Sequence, residues 1–241
     1  CRDVSDVKDV ARAMVSALRK KGVARVTAMP YFAGPLAPLA EEALLGAGFS
    51  LAQTFDGAHA RTLRIDLSNP DPFAGKDGKS LRQRVRQAER AGVTTRLVRG
   101  ADLGELEGLY ATLMAEQGKK PKPRAWFDAI DRALLATDRG AAIVSSAEGR
   151  PVSAAFVARH AGIVTWVIGA TSPERTTAYS KMVPTVMAAI DWARSQGAHT
   201  FDLGGIPLED DPDEKRKSIA QFKLYFAKEP IKLAREHARL F

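Results

Sequence analysis

The chain has 241 residues, of which 45% are hydrophobic, 27% charged and 7% aromatic, a balance that suits a globular protein of one large domain or two small ones. No run of roughly 18 apolar residues occurs, which excludes a transmembrane helix; the single cysteine, Cys1, excludes an internal disulfide framework and fits a reducing, cytoplasmic compartment. The formal net charge of +8 favours a polyanionic partner without saying which one.

A chain that opens on Cys1 rather than Met reads as a fragment or a processed protein, and part of an N-terminal domain is expected to be absent. A lipidated mature N-terminus also starts with Cys, but no signal sequence supports it here. Val7, Val10, Ala11, Met14, Val15 and Leu18 recur at helical spacing and predict a helix over 4–21, stopped by Gly22. Residues 23–29 read as a strand, 36–47 as a helix closed by Gly48, and 49–55 as a second strand. This α/β stretch carries no motif and is too short to build a full core alone. Leu63, Ile65 and Leu67 alternate as in a strand over 61–67, and the Asn, Pro, Asp and Gly of 68–78 then break regular structure. The expected division is therefore a partial N-terminal region, 1–68, and a C-terminal domain, 69–241.

The predicted helix over 77–91 has Leu81, Val85 and Ala88 on a buried stripe, while Lys79, Arg82, Arg86 and Arg90 share another face at steps of three and four. Four like charges on one stripe repel each other, and only Glu89 is at hand to offset them. A phosphate backbone would relieve that repulsion; a plainly solvated helix face fits the same spacing. Residues 93–98 then read as a strand and 101–117 as a helix. The loop GKKPKPR at 118–124 presents Lys119, Lys120, Lys122 and Arg124, either to a substrate or to solvent.

A helix over 125–137 leads into three antiparallel strands at 141–147, 152–160 and 163–168. Trp166, in the third, suits either a cleft wall or the core. Residues 182–195 form an apolar helix with Pro184 in its first turn.

The most informative stretch is TFDLGGIPLEDDPDEKRKSIAQFKLYF, 200–226. It reads as a buried strand (200–203), a turn at Gly204 and Gly205, a Pro-bounded acidic loop (207–214) and a helix from about Lys215. Paired glycines let a ligand approach the backbone closely, and the carboxyl end of a strand is where open α/β sheets place ligands. Lys223 sits beside an apolar stripe of Ile219, Phe222 and Phe226, which would pack its stem and direct its ammonium toward a cleft. A solvated edge lysine and an ordinary turn remain the plain alternative. Residues 202–214 hold six acids and no base, whereas 79–99 hold seven bases against Glu89, which separates an acidic loop from a basic surface. After Pro230 the chain resumes a basic helical spacing, with no function attached.

Three blocks in order, GKSLRQRVRQAERAGV, WVIGATSPERTTAYSKMVPTVMAAIDWARSQGA and FDLGGIP followed by IAQFKLYFA, resemble those of the Fem-type aminoacyl-tRNA-dependent peptidyltransferases of the GNAT superfamily. The likeness spans about residues 60–241. It implies an α/β (α+β) fold with a GNAT-like mixed sheet flanked by helices. It further implies transfer of an amino acid from charged tRNA to a free amine of a peptidoglycan precursor or peptide natural product. In that reading Lys223 is catalytic, its charge stabilising the oxyanion. Phe222, Trp166, Gly204, Gly205, Lys119 and Arg124 border the substrate, and Lys79, Arg82, Arg86 and Arg90 contact tRNA. Aminoacyl-tRNA is then a co-substrate, with no separate cofactor and with a membrane surface nearby at most. The alternative is a GNAT-fold N-acyltransferase with an acyl-CoA or acyl-carrier donor. Against it, GATSPERTTAYSK at 169–181 lacks the glycines that let backbone amides converge on a diphosphate.

Four scattered histidines, His59, His160, His199 and His237, have no ligand spacing, so no zinc site is expected. Glu209, Asp210, Asp211, Asp213 and Glu214 lack EF-hand spacing and read as a solvated, mobile loop. No residue stands out as a covalent nucleophile.

Overall fold

The computed structural model describes residues 3–52, 60–74, 76–174, 176 and 178–241. Cys1, His59 and the end of the strand expected over 49–55 lie outside the described residues. In chain order the first elements are α1 (Val7–Arg19), β1 (Arg25–Ala28), α2 (Leu36–Gly46), β2 (Ser50–Leu51), β3 (Arg61–Asp66) and α3 (Lys76–Arg90). Then come β4 (Thr94–Val98), α4 (Leu103–Glu116), α5 (Arg124–Ile130), β5 (Gly140–Ala147), β6 (Arg150–His160) and β7 (Ile163–Thr171). The chain ends with α6 (Met182–Ser195), β8 (Thr200–Ile206), α7 (Glu214–Lys223), β9 (Pro230–Lys232) and β10 (His237–Leu240).

These elements gather into two units, one of Cys1–Arg64 with Gly204–Phe241 and one of Ile65–Leu203. The sequence places a boundary at 68/69 and assigns 204–241 to the C-terminal domain. In the structure the tail lies with the first 64 residues because its strands find their partners there. β10 pairs antiparallel with β1, from Arg25↔Leu240 to Ala28↔His237, and with β2 through His237↔Leu51 and Ala238↔Ser50. β9 pairs antiparallel with β3, Thr62 facing Ile231. The helical spacing expected after Pro230 is thus overturned: both tail segments are strands, and sheet hydrogen bonds outweigh an intrinsic pattern this weak. In the core of this unit α1 buries Val7, Ala11 and Val15 against Ala37, Ala40 and Leu44 of α2 and Val26 of β1. Val10 and Met14, expected on the buried stripe, are exposed. The i, i+4, i+8 row is buried, and Leu18 packs partly buried against the same core.

The second unit is built on the strand sequence β4-β5-β6-β7-β8, antiparallel up to β7 and parallel between β7 and β8. Strand alternation divides its two faces. Ala142, Val144, Ala154 and Phe156 meet Leu103, Leu106 and Leu109 of α4 and Phe127 of α5. Ser145 and Ser153, on the opposite face, meet α6. The helix expected over 125–137 is divided: α5 ends at Ile130, and Asp131–Leu135 forms a π-helical turn.

The sheet is irregular around β7. Between β6 and β7 the register passes from Phe156↔Ile168 to Val157↔Trp166, so Val167 is the extra residue of a β-bulge and its side chain is exposed. Between β7 and β8 the ladder holds only Ile163↔Thr200, Val164↔Phe201 and Thr165↔Asp202, although β7 continues to Thr171.

Candidate active site

α7 is specified at both ends by charge. Asp213, in extended backbone, caps the N-terminus by accepting from the amides of Lys215 (2.9 Å) and Arg216 (3.1 Å). The last helical residue is Lys223, and a cation suits the negative end of a helix dipole. Lys223 is only 8% exposed, and its ammonium donates to the Gly205 carbonyl at 2.9 Å. Phe222 and Phe226 stack edge to face, with centroids 5.4 Å apart, and Phe226 is buried; Ile219, expected on the same stripe, is exposed.

The two glycines do not form the expected turn. β8 runs through them to Ile206, and Gly204 has φ +78°, which an L side chain resists. The strand is kinked rather than ended, and this turns the Gly205 carbonyl toward α7.

The acidic loop that follows is exposed, as expected, at Glu209, Asp210, Asp213 and Glu214, and departs from that reading at Asp211. Arg61 of β3 donates to the Pro207 carbonyl from Nη2 (2.7 Å) and Nε (3.2 Å), and from Nη1 to Glu209 (2.9 Å). Asp211 is buried, accepts from the Asp213 amide at 2.8 Å and pairs with Arg216 at 3.3 Å. Lys223, Phe222, Gly204 and Gly205 therefore lie together in the first unit, with Arg61 and Asp211 as members that sequence reasoning missed. Both were visible only as ordinary charges, since their partners are distant in sequence or are backbone atoms.

The remaining candidates lie in the second unit. Lys79, Arg82, Arg86 and Arg90 are all exposed along α3. Arg82 reaches Asp71 at 3.7 Å, and Arg86 gives its Nε to the Arg82 carbonyl at 3.4 Å. Lys119 is exposed in its loop. Arg124 is held by Glu107 and Asp128, each at 2.9 Å, and ties α5 to α4. Trp166 donates from its indole to the Ile168 carbonyl at 2.6 Å and lies across Gly169, where a Cβ would come within 2.4 Å of the ring.

A chain of hydroxyls, buried at Ser145, Ser153 and Thr185 and announced by no sequence motif, fixes the start of α6. Thr95 meets Ser145 (2.8 Å), Ser145 meets Thr185 (2.7 Å), Thr185 meets Ser153 (2.6 Å), and Ser153 donates to the Lys181 carbonyl (2.7 Å). The Lys181 ammonium turns back to the Ser172 carbonyl (3.0 Å), the Ser172 hydroxyl (2.8 Å) and the Glu174 carbonyl. Burial pushes this ammonium below its ordinary pKa, with Glu174 opposing. Among the described residues, no three His, Cys, Asp or Glu side chains gather to hold a metal ion.

The profile of the acetyltransferase (GNAT) domain family matches residues 76–216, more than half of the chain. Among solved structures the chain is similar to FemX, at 14% identity over 99% of this chain and 78% of that one, with a TM-score of 0.72. It is similar to the C-terminal domain of an Agrobacterium fabrum protein described as a putative lysylphosphatidylglycerol synthetase, with 18% identity, 98% and 74% coverage, and a TM-score of 0.66. It is also similar to L-PGS from Bacillus licheniformis, with 17% identity, 93% and 70% coverage, and a TM-score of 0.58. These likenesses are of fold, and no curated protein matches the chain in sequence.

Proposed function

The chain belongs to the acetyltransferase (GNAT) domain family, and from that membership and its Fem-type fold we propose that it is an aminoacyltransferase. It would move an amino acid from aminoacyl-tRNA to a free amine of a peptidoglycan precursor or a peptide natural product. The observation that carries the reading is Lys223: a nearly buried ammonium, fixed by a hydrogen bond to a kinked strand end, at the position where the family resemblance places the catalytic lysine.

The reaction needs little from the protein beyond orientation and charge. The acceptor amine forms a bond to the ester carbon, the carbonyl oxygen gains negative charge, and the bond to the ribose oxygen then breaks. The amine's proton passes to that departing ribose oxygen, so no side-chain base is required. Lys223 supplies a fixed positive charge for the oxyanion, and a preorganised charge stabilises it without reorganisation. Phe222, next to Lys223 in the chain, would border the substrate. Lys79, Arg82, Arg86 and Arg90 would meet phosphates of the tRNA, a sequence-independent contact.

The site would work in the cytoplasm, where charged tRNA is found; no helix among the described residues is long and apolar enough to cross a membrane. The test is incubation of the purified protein with a mixed pool of charged tRNAs and amine-bearing peptides, beside parallel reactions with acyl-CoA and acyl-carrier donors. Consumption of one ester with a matching acylated amine supports the proposal. Turnover with acyl-CoA alone would reject it in favour of an ordinary N-acyltransferase.

A further inference from the structure

We infer that Arg61 is a positioning residue for Lys223, an assignment that rests on the proposed role of that lysine. Lys223 is held by the carbonyl of Gly205, and two residues later the carbonyl of Pro207 is held by two nitrogens of Arg61. Two cations, one from the end of α7 and one from β3, thus bracket Ile206, whose side chain is buried. Between the two held carbonyls lie only Ile206 and Pro207, whose ring fixes φ, so a shift at the Pro207 carbonyl passes to Gly205, while Gly204 and Gly205 themselves carry no side chains to hold the backbone. Arg61 is itself fixed, since its strand pairs with β9 and places Arg61 opposite Lys232. A planar guanidinium that gives two donors to one carbonyl defines a direction that a lysine could not reproduce. The Glu209 contact is a different matter: that carboxylate is 90% exposed, and an exposed pair contributes little. The bond to the backbone is the part that transmits position.

The first experiment needs no substrate. The folded protein is treated briefly with acetic anhydride, and acetylation of Lys223 is followed by peptide mass, with exposed Lys215 as reference and Lys181 as a control in the other unit. Arg61→Ala should raise the Lys223 rate relative to Lys215 by about tenfold, the loss of one charge-assisted hydrogen bond, with Lys181 unmoved. Arg61→Lys should fall between, and Glu209→Gln should match wild type. If Arg61→Ala loosens the whole fold, Lys181 rises as well and Arg61→Lys decides: an elevated Lys223 rate with Lys181 steady supports the assignment. A wild-type Lys223 rate in Arg61→Lys, or in a stably folded Arg61→Ala, overturns it, as does an equal effect of Glu209→Gln.

The second experiment reads turnover. Arg61→Ala should lower kcat with KM for charged tRNA unchanged, and the Arg61→Ala/Lys223→Met double variant should be no slower than Lys223→Met alone. Multiplying rate losses would mean that Arg61 does not act through Lys223. Full turnover in Lys223→Met would instead remove the proposed function and leave the labelling result standing on its own.

Discussion

Replacing Lys223 by Met isolates the charge from the packing. Met keeps the length and apolar stem of the side chain, which is 8% exposed and lies beside the Phe222–Phe226 pair. It removes a charge-assisted hydrogen bond to Gly205 worth about 1.5–3 kcal/mol. It also removes a buried ammonium whose desolvation costs several kcal/mol, so the two effects oppose each other. The net change in stability should be about 1 kcal/mol in either direction, or about 2–4 °C in Tm for a chain of this size. Turnover should fall much further, by about 10²–10³-fold, as when one oxyanion partner is lost. The assay is single-turnover transfer from charged tRNA at saturating acceptor, run beside a thermal melt. A variant that melts within this range and retains turnover to within about threefold would refute the electrostatic role. Lys223→Arg, with the charge kept but a planar head, should recover part of the rate.

Other perturbations test the scaffold around the site. Gly78→Ala should destabilise the start of α3 by about 1–3 kcal/mol or more, because a Cβ there would lie 1.5 Å from the Phe73 carbonyl oxygen; an unchanged melt would show that the 70–74 segment does not pack there. Thr185→Val should cost about 1–3 kcal/mol by breaking the hydroxyl chain between Ser145 and Ser153, and Thr185→Ser should recover most of it; equal melts for both variants would refute this. Burial alone would raise the Glu41 carboxyl, but side-chain and backbone hydrogen bonds from Arg235 outweigh it and hold the carboxyl below its ordinary value of 4.5. That contribution to stability is therefore complete above pH 4.5 and is lost as pH falls through the lowered value. Glu41→Gln should be less stable than wild type at neutral pH, and the gap should close in acid; a constant gap across a pH series of denaturation curves would refute the linkage.

Much of the fold is legible in the sequence wherever one local pattern decides the outcome. The α6 helix begins and ends where its apolar row does, with Pro184 in the first turn, and α3 exposes the four predicted cations. The misreadings are physical rather than random. Two adjacent glycines usually mark a turn, yet β8 passes through Gly204 and Gly205, because a glycine that tolerates φ +78° can also kink a strand without ending it. The segment after Pro230 has helical spacing, but β1, β2 and β3 offer it edges to pair with, and residues far away in the sequence leave no local mark. The hydroxyl chain escapes notice for a similar reason. Thr95, Ser145, Ser153 and Thr185 are unremarkable one by one, and only the register of β4, β5 and β6 under α6 brings them into line.

The uneven charge of the sequence takes on a clearer meaning once partners are known. The acidic block is largely solvated, as its sequence suggests, yet three of its members also have partners within the fold: Glu209 with Arg61, Asp211 with Arg216, and Asp213 as the cap of α7. On α3 the situation is reversed. Arg82 has Asp71 at 3.7 Å with both side chains about half exposed, a pair of little worth, and Lys79, Arg86 and Arg90 have no ion-pair partner among the described residues. Cations at steps of four advance about 6 Å along a helix, a spacing that phosphates of one strand can follow. Replacing Arg86 and Arg90 together by Ala should leave the melt unchanged and flatten the log–log salt dependence of tRNA binding by about one unit for each arginine that meets a phosphate. A slope that does not move would assign the stripe to solubility, because an excess of one charge on a surface either meets an anion or keeps molecules apart.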